Sequence, residues 1–135
     1  MADPLAGRTV LVIEDDPLLL EAMARAFLKS NAKVLVATNG AEGLERFNGA
    51  SPDLVVTDII MPEREGIETL MSIKAARPAV QVLAVSGGGH TPAGKFLELA
   101  SAVGADAVLA KPFRAQELTD AARALFMKAD ADGGV

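Results

Sequence analysis

The chain has 135 residues, enough for one domain with a sizeable core, and carries a formal net charge of −5 with no cysteine, tryptophan or tyrosine. Disulfides, thiol nucleophiles and cysteine-ligated zinc are therefore excluded, and the acidic balance argues against nucleic-acid binding through a basic face. The opening MADPLAGR lacks the charged start and apolar core of a signal peptide, and no apolar run approaches the ~20 residues that span a bilayer, so the expectation is a cytoplasmic domain without a membrane partner.

The first apolar run, TVLVI at Thr9 to Ile13, reads as a strand and ends in Glu14-Asp15-Asp16. Asp16-Pro17 then starts a helix, with an acceptor at the N-cap and proline at the first helical position, and Leu19, Leu20, Met23 and Phe27 face a core. KVLVA at Lys33 to Ala37 is a second strand, with Asn39-Gly40 at the joint before a helix near Ala41–Phe47. After Ser51-Pro52, LVVT at Leu54 to Thr57 is a third strand that runs into Asp58. A helix over Ile67–Ala76 ends at Arg77-Pro78, and VQVLAV at Val80 to Val85 is a fourth strand that ends in Ser86 before Gly87-Gly88-Gly89. A helix near Ala93–Val103 leads to AVLA at Ala107 to Ala110, the fifth strand, which ends in Lys111-Pro112. Leu118, Ala121, Ala122, Leu125 and Phe126 recur with the period of a helix that buries one face.

Strand runs that are continuous rather than alternating suit strands covered on both faces, and strand–helix alternation predicts an α/β fold with a doubly wound five-stranded parallel sheet. The boundaries are an N-terminal extension over 1–8, one domain over 9–128 and a disordered tail over 129–135. That tail, ADADGGV, lacks the further ligands and closing glutamate of a calcium loop.

Ligands of such sheets sit beyond the carboxyl ends of the strands. There the topology gathers Glu14, Asp15, Asp58, Ser86 and Lys111, from four different strands. Each alone has a plain structural account: acids after strands are often N-caps, a serine before glycines is often a turn, and a lysine before proline is usually solvated. Together they describe chemistry. Carboxylates ~4 Å apart repel by roughly 4 kcal/mol at an effective dielectric of ~20. A hard cation such as Mg²⁺ relieves this, and it characteristically takes one or two carboxylates, waters and a phosphate oxygen. A lysine and a hydroxyl donor suit the remaining phosphate oxygens, so the set points to phosphoryl transfer onto an aspartate.

With VLVIEDDP, DLVVTDIIMP followed by Gly66, VLAVSG and LAKPF in this order and spacing, the chain resembles the receiver domains of two-component response regulators (CheY-like) from about Thr9 to Lys128. The resemblance implies the flavodoxin-like strand order 2-1-3-4-5, with helices on both faces. It implies Asp58 as the phosphoacceptor, with Lys111 paired to the phosphoryl group and Ser86 following it. Glu14, Asp15, Asp58 and the backbone carbonyl of Ile60 would hold Mg²⁺, with Asp15 the more direct ligand of the acid pair. The Lys111-Pro112 bond would be cis. A sensor histidine kinase or histidine phosphotransfer protein would supply the phosphoryl group. A downstream protein would be bound through the face of strand four, the helix after it, strand five and the last helix, by a monomer or weak dimer that is not an enzyme.

The chain departs from the family pattern at Val108, where an aromatic residue is usual, and at Arg114, where a helix N-cap acceptor often stands. No output domain follows the last helix in this sequence, so the expectation is a stand-alone receiver that acts by binding partners, or a receiver cut from a larger protein. Two rivals remain. A phosphatase of the haloacid dehalogenase type also uses an aspartate nucleophile, but it expects a second acid where Ile60 stands. A degenerate receiver would act as a phosphorylation-independent scaffold. His90 reads as an exposed loop residue, Glu63, Arg64 and Glu65 as a solvated run, and Phe96, Leu97, Leu99 and Val103 as core.

Overall fold

The structure, a computed structural model, describes residues 3–59, 65–86 and 102–133. Its strands are β1 (Thr9–Ile13), β2 (Lys33–Ala37), β3 (Leu54–Asp58), β4 (Gln81–Ser86) and β5 (Ala107–Ala110), and its helices α1 (Pro17–Lys29), α2 (Gly40–Ala50), α3 (Glu65–Ala76) and α4 (Ala115–Gly133). The strands form one parallel sheet in the order β2-β1-β3-β4-β5, as expected. The expected helix near Ala93–Val103 falls largely outside the described residues, as do Ile60, Glu63, Arg64, His90, Phe96, Leu97 and Leu99.

Successive residues of a strand point to opposite faces, and here both faces are covered. Val10, Val12, Leu54, Val56, Leu83 and Val85 enter one core, packed against α1 and α4. Leu11, Ile13, Val55, Val82 and Ala84 enter the other, with Phe47 of α2 and Leu70 and Ile73 of α3. The central strand β3 is buried from end to end, Asp58 included. Val103 packs partly buried against the second core.

The local signals work as read. The Asp16 carboxylate accepts from the N–H groups of Leu18 and Leu19 at 3.0 and 3.4 Å, with Pro17 behind it. Asn39 caps α2 through the Glu42 N–H at 2.8 Å, and Ser51 closes the helix in the left-handed region at φ 48°. Leu20, Met23 and Phe27 of α1 and Leu118, Ala122, Leu125 and Phe126 of α4 are buried. The helix bounds differ by a few residues from the sequence reading, since α2 runs on to Ala50 and α3 begins at Glu65.

Residues near both ends of the described chain take part in the fold. The α4 backbone continues to Gly133, into the stretch read as a disordered tail. Within the segment 1–8, the described residues from Asp3 onward pack on the fold. Leu5 is fully buried in the core against α1 and α4. The Asp3 carboxylate accepts the Leu5 N–H at 2.9 Å and takes the Arg123 guanidinium on both oxygens, at 3.0 and 2.9 Å. Arg123 also donates to Ser30 Oγ at the end of α1, so the arm ties α1 to α4. No helix among the described residues is long and apolar enough to cross a membrane.

Candidate functional site

Four strand ends meet at the carboxyl edge of the sheet. Glu14 follows β1, its N–H held by the Ala37 carbonyl of β2 at 3.0 Å, and its side chain is almost wholly buried. Asp58 ends β3 and is also buried, in register with Val85. Ser86 ends β4, buried, beside Ala110 of β5, and its carbonyl accepts the Lys111 N–H at 2.6 Å. Parallel pairing thus fixes the height of each of these residues before any side chain interacts.

Lys111 joins the strands through its side chain. Its ammonium donates to Glu14 Oε1 at 2.6 Å and to Asp58 Oδ2 at 2.8 Å. The other Glu14 oxygen accepts the Asp16 N–H at 3.1 Å. Asp15 is exposed, yet one of its oxygens lies within 4.8 Å of oxygens from both Glu14 and Asp58. The lysine therefore sits as an internal cation against two buried carboxylates, with a third at the rim. The Lys111-Pro112 peptide that delivers it is cis, as expected.

The electrostatics follow from this packing. Burial pushes the Glu14 carboxyl above its ordinary range, and neighbouring Asp15 adds to the effect, while hydrogen bonds from Lys111 and the Asp16 N–H oppose it. Burial also works against the charge on Lys111, but the hydrogen bonds and charges of Asp58 and Glu14 together outweigh it, so the ammonium is held above the ordinary lysine range.

Gly66 near the start of α3 explains how the helix closes over this edge. A Cβ there would collide with the Asp58 carbonyl oxygen and lie 2.8 Å from the Ile59 Cα. Only a residue without a side chain lets α3 approach the backbone that carries Asp58.

Of the residues singled out from sequence, Glu14, Asp15, Asp58 and Lys111 form one cluster, and Ser86 stands at the adjoining strand end. Ile60 lies outside the described residues. The direct Lys111–Glu14 pair was not anticipated. No local pattern signals it, since the two residues are far apart in the chain and meet only through sheet register.

A doubly wound parallel sheet with a carboxylate cluster and a lysine at its carboxyl edge defines a protein that works at the strand ends, where such folds handle their ligands. A profile of the response regulator receiver domain matches residues 10–123, and the chain belongs to that family. It is 33% identical over 113 residues to the chemotaxis protein CheY of Listeria monocytogenes, covering 82% of this chain and 92% of that protein. It is 36% identical over 115 residues to the probable C4-dicarboxylate response regulator DctR of Bacillus subtilis, covering 83% of this chain but 49% of that protein, so it spans about half of that relative. A response regulator receiver domain protein from Clostridium thermocellum, 31% identical, superposes with a TM-score of 0.79 over 92% of this chain and 98% of that one. The acidic pocket around Asp58 fits the phosphoacceptor site of this family.

Proposed function

We propose that this chain is a phosphoacceptor in a two-component signalling system, with Asp58 as the residue that takes the phosphoryl group. The observation that carries this reading is the pair of contacts from Lys111, 2.8 Å to Asp58 and 2.6 Å to Glu14, within a three-carboxylate cluster. An Asp58 oxygen attacks phosphorus, the bond from phosphorus to a histidine nitrogen of the donor breaks, and the products are an aspartyl phosphate and a neutral imidazole once the leaving nitrogen takes a proton. Lys111, already beside the accepting carboxylate, then has a phosphate oxygen to pair with. Ser86 supplies a hydroxyl to the same group.

The donor set of Glu14, Asp15 and Asp58 consists only of hard oxygens and suits Mg²⁺, with the Ile60 carbonyl as a further ligand from outside the described residues. When bound, the ion would neutralise charge that builds up on the transferred group. The donor is a sensor histidine kinase or histidine phosphotransfer protein. The phosphorylated state alters binding of a downstream protein through the face of β4, the stretch that follows it, β5 and α4. The chain acts in the cytoplasm as a monomer or weak dimer, and its own chemistry is limited to taking and slowly losing the phosphoryl group.

Incubation with Mg²⁺ and acetyl phosphate, followed by borohydride trapping and mass spectrometry, tests the assignment. The expected label is on Asp58 alone, absent from Asp58→Asn. Label on Glu14 or Asp15 in the unaltered protein refutes the role of Asp58, and no label at all favours a scaffold that works without phosphate.

A further inference from the structure

A second pocket of about 310 Å³ opens at the opposite edge of the sheet, where β1, β3 and β4 begin. Its lining includes Arg8, Pro52, Asp53, Arg77, Gln81 and Phe126. The volume is at the lower end of the ~300–1,000 Å³ typical of small-molecule sites. Two guanidinium groups face one carboxylate here, on a chain whose overall charge is negative.

Both arginines are pre-positioned by the fold. The Arg8 guanidinium lies 4.2 Å from the centre of the buried Phe126 ring, and its Nε donates to the Pro4 carbonyl at 3.1 Å. The Arg77 guanidinium lies 5.1 Å from the centre of the Phe47 ring, and its Nη2 donates to the Pro52 carbonyl. Of the five N–H groups of the Arg77 guanidinium, that is the one with a hydrogen-bond partner among the described residues. The Gln81 side-chain amide makes none there. A half-buried cation with idle donors, beside an idle amide, is a costly arrangement for a fold to keep dry and a ready one for an anion. The one carboxylate, Asp53, is engaged elsewhere, since Oδ2 accepts the Thr9 N–H at 2.8 Å and its backbone bridges β1 and β4. Pro52 and Phe126 supply apolar wall.

We propose that this pocket binds a small oxyanion-bearing molecule, a carboxylate or a phosphate on a compact apolar body, at a site separate from the acid pocket. Arg77 and Gln81 hold the anionic end, Arg8 reinforces the positive field, and the ring of Phe126 borders the body of the ligand. The acid pocket, rich in carboxylates, repels the same ligand when metal is withheld.

The test is a titration of the ¹⁵N-labelled full chain in EDTA at constant ionic strength, with inorganic phosphate in one arm and benzoate in the other. Saturable shifts at Arg77, Asp53 and Gln81, with the Asp58 and Lys111 signals still, support the site. Saturation by phosphate alone assigns a phosphate group, and saturation by benzoate, alone or more tightly, assigns a carboxylate on an apolar body. Arg77→Gln should abolish the shifts. Asp53→Asn, which keeps an oxygen for Thr9, should tighten binding several-fold by removing a charge that repels the anion, and it decides the matter if Arg77→Gln fails to fold. Absence of saturable shifts with both probes, or unchanged or weaker binding in Asp53→Asn, overturns the proposal.

Discussion

Replacing Lys111 with methionine removes a charge and keeps most of the stem, so it isolates what the ammonium does for the two buried carboxylates. At separations of 2.6 and 2.8 Å, each lysine–carboxylate attraction amounts to about 6 kcal/mol at an effective dielectric of ~20. Most of that gross attraction is offset by the cost of taking three ions out of water. Deleting only the lysine leaves the cost on the acids, and breaking a buried pair in this way typically destabilises by about 3–5 kcal/mol. The variant has one escape, which is to protonate Glu14. From an ordinary glutamate value of about 4.3, holding that proton at pH 7 costs about 3.7 kcal/mol, and at pH 5.5 about 1.6 kcal/mol. These figures cap the part of the loss that falls on Glu14. Glu14 already binds its proton more tightly in the folded protein than in the unfolded chain, so its contribution favours the fold as pH falls and is lost as pH rises through its raised value. Lys111→Met should therefore be about 3 kcal/mol less stable than the parent in urea with EDTA at pH 7, and about 1.5 kcal/mol less stable at pH 5.5. A loss below about 1 kcal/mol at pH 7, or an equal loss at both pH values, would refute the view of Lys111 as the counter-ion of a buried acid pair.

Asp15→Asn should stabilise the metal-free protein by about 1–3 kcal/mol in urea melts with EDTA, and weaken Mg²⁺ binding in calorimetry, because it removes one of three clustered charges. At alkaline pH the parent should lose stability as pH rises through the raised Lys111 value, above the ordinary ~10.4, and Lys111→Met should lack that part of the slope; with no tyrosine in the chain, the comparison is clean. Gly66→Ala should cost about 1–3 kcal/mol and slow labelling of Asp58, since the added methyl meets backbone that cannot yield cheaply. Leu5→Ala should cost about 2–5 kcal/mol, measured by the urea midpoint, whereas a dispensable extension would lose almost nothing.

The sheet, and the gathering of most candidate site residues at its carboxyl edge, were legible because both rest on short-range signals. Continuous apolar runs mark strands buried on two faces, and the residue that ends each run is then a candidate site residue by topology alone, as for Asp58 and Lys111. What escaped were features made by distant pieces of chain. Leu5 is a lone apolar residue among turn formers, with no period to reveal that it fills the core between α1 and α4. The Asp3–Arg123 pair joins the two ends of the domain, which no local pattern encodes. The backbone of α4 runs to Gly133, and a helix already anchored by Leu118, Ala122 and Leu125 extends without a new nucleation cost.

Asp58 stands at the end of a strand that is otherwise buried and, apart from Thr57, apolar, and the structure supplies a physical reason. β3 is the central strand, paired on both sides by β1 and β4 and covered on both faces, so its end is the position least able to move. A carboxylate placed there is held by the sheet rather than by its own rotamer freedom. The cost of burying it is met locally by Lys111, delivered from β5 at the outer edge of the sheet. Val108 sits two strands away on β5, in register with Ala84 of β4 and partly buried against the second core. Its branched side chain has little rotamer freedom and no ring to turn. Val108 thus offers no ring to turn when Asp58 changes, whereas Lys111, held on Asp58 at 2.8 Å, ties that carboxylate directly to the end of β5.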